Sequence, residues 1–271
     1  MVALGLAAPL AAIVVLAPAW ALAEQSATKF FFGSATAAYQ IEGHRQADGR
    51  TESIWDAFDT DGVSNIVLSK KPSGQPNVHG GESGAIADGD YIAFSDTLGL
   101  LQQYGFDAYR MSVSWTRILS YSLTEDCSGP EKKQKCQLNQ PVVNEKGIEH
   151  YRTVLKRLKA AGLITAVTLW HWDTPLAVEE WASITECAET NSHTETQTGS
   201  AWLCPEIADI FSHYAKTVTE ALGDELVDHW ITLNEPLTVT SVGYAKPAKH
   251  APGRCSDRDV CRAGNETIEP Y

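Results

Sequence analysis

At 271 residues, with 44% hydrophobic side chains and eight Trp, the chain holds enough apolar material for one large domain or two small ones. That composition excludes a disordered polypeptide. The formal charge of −13 argues against nucleic acid and anionic membranes as partners, because both call for a basic patch. Neutral small molecules remain as candidate ligands.

No charged residue precedes Glu24, and Met1–Leu22 is rich in Ala, Leu and Val. Ala21-Leu22-Ala23 places small residues before a cleavage point, which predicts a secretory signal over 1–23 and an extracellular mature chain over 24–271. The start lacks Lys or Arg, so an uncleaved N-terminal membrane anchor is the alternative. The six cysteines fall into close pairs, predicting the loop disulfides Cys127–Cys136, Cys187–Cys204 and Cys255–Cys261 in an oxidising compartment. None has the spacing of a zinc site. Asn265-Glu266-Thr267 is a glycosylation sequon.

Past the signal, a strand and then an amphipathic helix recur. Phe30–Thr36 is the first predicted strand; the helix after it carries Tyr91, Phe94, Leu98 and Leu101 at helical spacing and stops at Gly105. The second strand is Phe106–Trp115. A polar insertion with Cys127 and Cys136 follows, then a helix from Asn144 with Ile148, Tyr151, Val154, Leu155 and Leu158 on its apolar face. The third strand is Leu163–Trp170. After a second insertion, Pro205 opens a helix with the stripe Ile207, Ile210, Phe211, Tyr214, Val218 and Leu222, and the fourth strand is Leu226–Asn234. Continuous apolar strands separated by helices indicate a parallel sheet, either doubly wound or a (β/α)₈ TIM barrel.

The residues at the strand ends favour the barrel, whose active sites lie at the carboxyl ends of its strands. They are Gln40 and Glu42, then Arg110 and Trp115, then His171 and Trp172, then Asn234 and Glu235. Pro236 ends the fourth strand and leaves Glu235 at its tip, where apolar surroundings raise a carboxyl pKa towards the range of a general acid. Gln, His and Asn suit sugar hydroxyls, Trp suits the C–H face of a sugar, and a proton-donating Glu suits glycosidic bond cleavage. Arg110 is placed to keep a second carboxylate ionised. Only four strands are legible, so the chain is expected to be the first four β/α units of a larger barrel.

In order, Phe32–Gly43 (FGSATAAYQIEG), Ser53–Asp56 (SIWD), Tyr109–Trp115 (YRMSVSW), Leu169–Asp173 (LWHWD) and Thr232–Pro236 (TLNEP) resemble the signatures of glycoside hydrolase family 1, the β-glucosidase family. Ala251–Cys255 (APGRC) and Thr267–Tyr271 (TIEPY) match its plant-like branch. The resemblance implies a (β/α)₈ barrel and a retaining O-glycosidase without metal or cofactor. Its substrates would be small-molecule β-glucosides or short oligosaccharides. It makes Glu235 the general acid/base, Asn234 a ligand of the 2-hydroxyl, and Gln40, His171 and Trp172 sugar-binding residues. It makes Arg110 the partner of a nucleophile that is not in this chain, and it suggests the Cys255–Cys261 bridge. The chain departs from the family's pattern at Ile86–Tyr91 and at Thr116, where Pro is usual. An active site lacking its nucleophile is expected to be inactive alone. A non-catalytic, lectin-like remnant of the same fold is the alternative.

Overall fold

The computed structural model describes residues 30–59, 77–128, 131–185, 199–246 and 250–255. The chain divides into Met1–Phe31, of which only Phe30 and Phe31 are described, and Phe32–Tyr271, which carries all that follows. The proposed signal segment therefore lies outside the described residues.

Four strands form one parallel sheet in sequence order: β1 (Gly33–Ala35), β2 (Ala108–Ser112), β3 (Ile164–Trp170) and β4 (His229–Leu233). The register sets Ala35 beside Arg110, Arg110 beside Ala166, and Trp170 beside Leu233. Sequential parallel neighbours joined through helices are the repeat of a β/α barrel. Each strand is found where the apolar runs predict one, but shorter. The second stops at Ser112 rather than Trp115, because residues 115–118 turn into a short helix.

The long helices are α1 (Asp90–Gln103), α2 (Glu145–Ala160), α3 (Leu176–Thr185) and α4 (Ile207–Leu222). Helix α2 buries Ile148, Tyr151, Val154, Leu155 and Leu158, the predicted stripe, and sets Glu145 in its first turn and Arg157 and Lys159 in its last, as the helix dipole favours. Helix α4 buries Ile207, Tyr214, Val218 and Leu222. Gly223 ends it at φ 67°, a conformation other residues adopt only with strain. Helix α3 falls within what the sequence suggests is a loop insertion.

The core lies between sheet and helices. Trp115 stacks on Tyr214 at 4.6 Å between centroids, and the Tyr214 hydroxyl donates to the Leu169 carbonyl at 2.8 Å. This fixes α4 behind the tips of β2 and β3. At the opposite end, Asp228 accepts from the Thr165 N–H at 2.8 Å and from Lys159 Nζ at 2.8 Å, tying α2, β3 and the start of β4 together.

Buried ion pairs anchor the loops. Glu42 accepts from Arg117 Nε at 2.6 Å and from the Tyr151 hydroxyl at 2.7 Å. Glu179 accepts from Arg254 Nη2 at 2.6 Å, with both side chains 1% exposed. In the insertion after β2, a short antiparallel ribbon pairs Leu119–Ser120 with Val142–Val143, and Cys127 is bonded to Cys136 as expected. Cys204 and Cys255 are disulfide-bonded as well, while Cys187, Cys261 and Asn265 lie outside the described residues.

Candidate active site

Arg110 reaches from β2 across β3 to the tip of β4. Its Nε donates to Thr168 Oγ1 at 2.9 Å and its Nη2 to Asn234 Oδ1 at 2.6 Å. Asn234 is buried; its N–H donates to the Trp170 carbonyl at 3.0 Å, and its own carbonyl accepts from Trp172 Nε1 at 2.7 Å. The tips of β2 and β3 thus meet that of β4 at one residue, Arg110 on its side chain and Trp170 and Trp172 on its backbone, and the sequence places Glu235 directly after it.

Trp172 (φ 72°) and Glu235 (φ 41°, ψ 63°) both have left-handed backbones, a strained state for residues with a Cβ, costing on the order of 1–3 kcal/mol each. Strain of this kind persists only where the surroundings over-determine it. The Thr238 hydroxyl donates to Glu235 Oε2 at 2.9 Å. Glu235 is otherwise exposed, which corrects the expectation of apolar surroundings: it follows β4, the last strand of the described sheet, on the side where no further strand pairs.

Gln40, His171 and Trp172 line a common cavity of about 370 Å³, together with Tyr39 and Trp55. Gln40 is presented by the short helix Ala38–Ile41 after β1. Burial, helped by the positive charge of Arg110, lowers the His171 pKa to about 4, so the imidazole is neutral near pH 7. Its Nδ1 is buried without a hydrogen-bond partner among the described residues. Arg110, Asn234 and Glu235 do not line this cavity.

Two strand-end residues in the predicted cluster prove to be structural. Glu42 is held by Arg117 and Tyr151, and Trp115 is fully buried against Tyr214. Three residues without a predicted role pack at the site: Tyr39, Trp55 and His250, the rings of Tyr39 and Trp55 stacking at 5.5 Å. The signal for the first two was their place inside quoted motifs; His250 immediately precedes Ala251-Pro252-Gly253-Arg254. Among the described residues, no group of three or more His, Cys, Asp or Glu is placed to hold a metal ion, and no helix is long and apolar enough to cross a membrane.

Asp173, next to Trp172, is buried and accepts the Trp115 N–H at 2.9 Å, tying the β3 tip to the end of β2. Burial raises its pKa to about 6. The folded state therefore holds this proton more tightly than the unfolded chain, whose aspartates titrate near about 4. Its contribution to stability is largest below about pH 4 and is lost as pH rises to about 6. Asp173→Asn should remove that loss. The stability of Asp173→Asn minus that of the native chain, from urea unfolding, should rise by on the order of 2 kcal/mol between about pH 4 and 7. A flat difference would show that Asp173 titrates normally.

A sheet of sequential parallel strands with hydrogen-bonding and aromatic side chains gathered at its carboxyl end defines part of a (β/α)₈ barrel. The profile of "Glycosyl hydrolase family 1" matches residues 23–266, and the chain belongs to that family. It is 38% identical over 244 residues to β-glucosidase 14 of Arabidopsis thaliana, covering 89% of this chain and 40% of that protein. It also resembles the solved rice Os3BGlu6 β-glucosidase, with TM-score 0.62 and 34% identity over 89% of this chain and 41% of that one. The β-glucosidase of Thermotoga maritima, solved with deoxynojirimycin, gives TM-score 0.58 and 31% identity over 83% of this chain and 40% of that one. The chain thus spans about 40% of the length of these relatives.

Proposed function

We propose that this chain carries the acid/base half of a retaining β-glucosidase site. The observation that carries this reading is the convergence of Arg110 and Trp172 on Asn234, beside Glu235. Glu235 protonates the glycosidic oxygen as the leaving group departs, then takes a proton from the water that hydrolyses the glycosyl-enzyme intermediate. Asn234 grips the 2-hydroxyl beside the reacting carbon. Gln40 and the neutral His171 bind the other hydroxyls, and Trp172 offers an apolar face. Arg110 orients the nucleophilic carboxylate. The rice relative, described as a mutant in a covalent complex with Glc, supports a covalent intermediate in the family.

A retaining site needs two carboxyl groups about 5–5.5 Å apart. Of two further carboxyls at strand tips, Glu42 is engaged by Arg117 and Asp173 is buried on the Trp115 N–H, so neither is a candidate for the nucleophile. Residues 1–23 act as the signal, and residues 24–271 form part of the catalytic barrel of an extracellular glycoprotein with disulfides Cys187–Cys204 and Cys255–Cys261 and a glycan on Asn265. The substrate is a β-glucoside or short oligosaccharide, with no metal or cofactor required.

The test is hydrolysis of an aryl β-glucoside by the 271-residue polypeptide, and no turnover above background is expected. Turnover that Glu235→Gln abolishes would sink the half-site reading. A lectin-like role is favoured by one observation: the cavity is lined by Gln40, His171 and Trp172 but not by Glu235. Calorimetric binding of cellobiose without hydrolysis, unaffected by Glu235→Gln, would support that role instead.

A further inference from the structure

Trp172 holds a left-handed backbone at φ 72° while its indole Nε1 donates to the Asn234 carbonyl. A non-glycine residue keeps this conformation only when its side chain is held from more than one side. The second hold is His250, whose imidazole meets the Trp172 ring edge-on at 4.6 Å and 69°. The same imidazole also meets Trp55 at 4.7 Å and 69°. His250 is therefore a spacer between two indoles that come from different βα loops.

The spacer is itself fixed. His250 Nδ1 lies 2.5 Å from the Ala251 carbonyl, so Nδ1 carries the proton and donates. Four residues on, Arg254 is locked by its N–H to the Gly243 carbonyl at 2.7 Å and by its buried pair with Glu179. Nε2 of His250 is buried with no hydrogen-bond partner among the described residues. An acceptor left unpaired is a liability in a core, so what the position uses is the shape of the ring.

The geometry points to His250 as a positioning residue that props the Trp172 indole and thereby holds the Asn234–Glu235 corner. It does not line the cavity; it acts through Trp172. The consequence for catalysis rests on the role proposed for Glu235, but the structural signature does not.

The test follows the indole N–H of Trp172 by ¹H–¹⁵N spectroscopy of the 271-residue chain without sugar, assigned through Trp172→Phe. Losing an edge-on ring contact should raise its hydrogen-exchange rate roughly tenfold in His250→Ala. The indoles of Trp170 and Trp202, which both donate to Thr174 Oγ1 at 3.1 and 2.8 Å, serve as internal controls. They should change by less than about twofold, and His250→Phe should return Trp172 to within about twofold of the native rate. An unchanged Trp172 in His250→Ala, equal loosening of all three indoles, or failure of Phe to restore protection would each overturn the assignment. If His250→Ala does not yield folded protein, His250→Val is read the same way. A chain that shows this pattern but turns over an aryl β-glucoside in a Glu235-dependent way refutes the half-site reading and leaves the positioning role intact.

Discussion

Arg117→Met is expected to lower the unfolding free energy by about 3–5 kcal/mol, the usual result of leaving one partner of a buried ion pair uncompensated. Arg117 is 1% exposed; its Nε donates to Glu42 at 2.6 Å, its Nη2 to the Gly43 carbonyl at 2.8 Å, and its guanidinium sits over the Tyr91 ring at 3.8 Å. Methionine fills similar space but leaves the Glu42 carboxylate with only the Tyr151 hydroxyl and a missing donor at Gly43. At roughly 2–4 °C per kcal/mol for a chain of this size, the midpoint should fall by about 10 °C. Neutralising both partners removes the stranded charge, so Arg117→Met with Glu42→Gln should recover more than half of the loss. Thermal and urea unfolding of the two variants provide the check. A single variant within about 1 kcal/mol of native would mean that water reaches Glu42 and relieves it.

Gly147→Ala should destabilise the chain by roughly 3 kcal/mol, although alanine in place of glycine inside a helix normally gains about 1 kcal/mol. Gly147 is the third residue of α2, and a Cβ there would lie 1.9 Å from the Arg117 carbonyl oxygen and 2.8 Å from its carbonyl carbon. Backbone cannot swing aside as a side-chain tip can. The Asn144 N–H donates to the Ile118 carbonyl at 2.8 Å, which holds the start of the helix against the same segment. Helix propensity and close packing therefore predict opposite signs, and urea unfolding decides between them. A gain in stability would show that α2 shifts outward at little cost.

The order of strands and the apolar stripes of α2 and α4 were legible because a buried face imposes a period that sequence displays directly. The tip residues were harder, because their roles depend on where a strand stops. Gln40 and Glu42 are two apart and would share a face in a strand. The chain is already helical at Ala38–Ile41, where two residues turn through about 200°, so Gln40 faces the cavity and Glu42 faces Arg117. Trp115 went astray for the same reason: β2 stops at Ser112, and Trp115 opens a short helix directed at Tyr214. Helix α3 showed no clean apolar stripe, because its buried face includes Glu179, whose charge is paired with Arg254, 75 residues away, and hydrogen-bonded by the Ser200 hydroxyl and the Ala201 N–H. The exposure of Glu235 was not readable at all, since it depends on which strands flank β4.

The paired left-handed backbones at Trp172 and Glu235 bear on how this sequence tolerates change. Glycine or asparagine relieves the backbone at both positions, so improvement of the fold alone favours replacing the residues proposed for the chemistry. A library selected only for expression or heat resistance should drift towards glycine at 172 and 235. Any engineering of this barrel segment needs a screen that reads ligand as well as folding, or the site will be the first thing it loses.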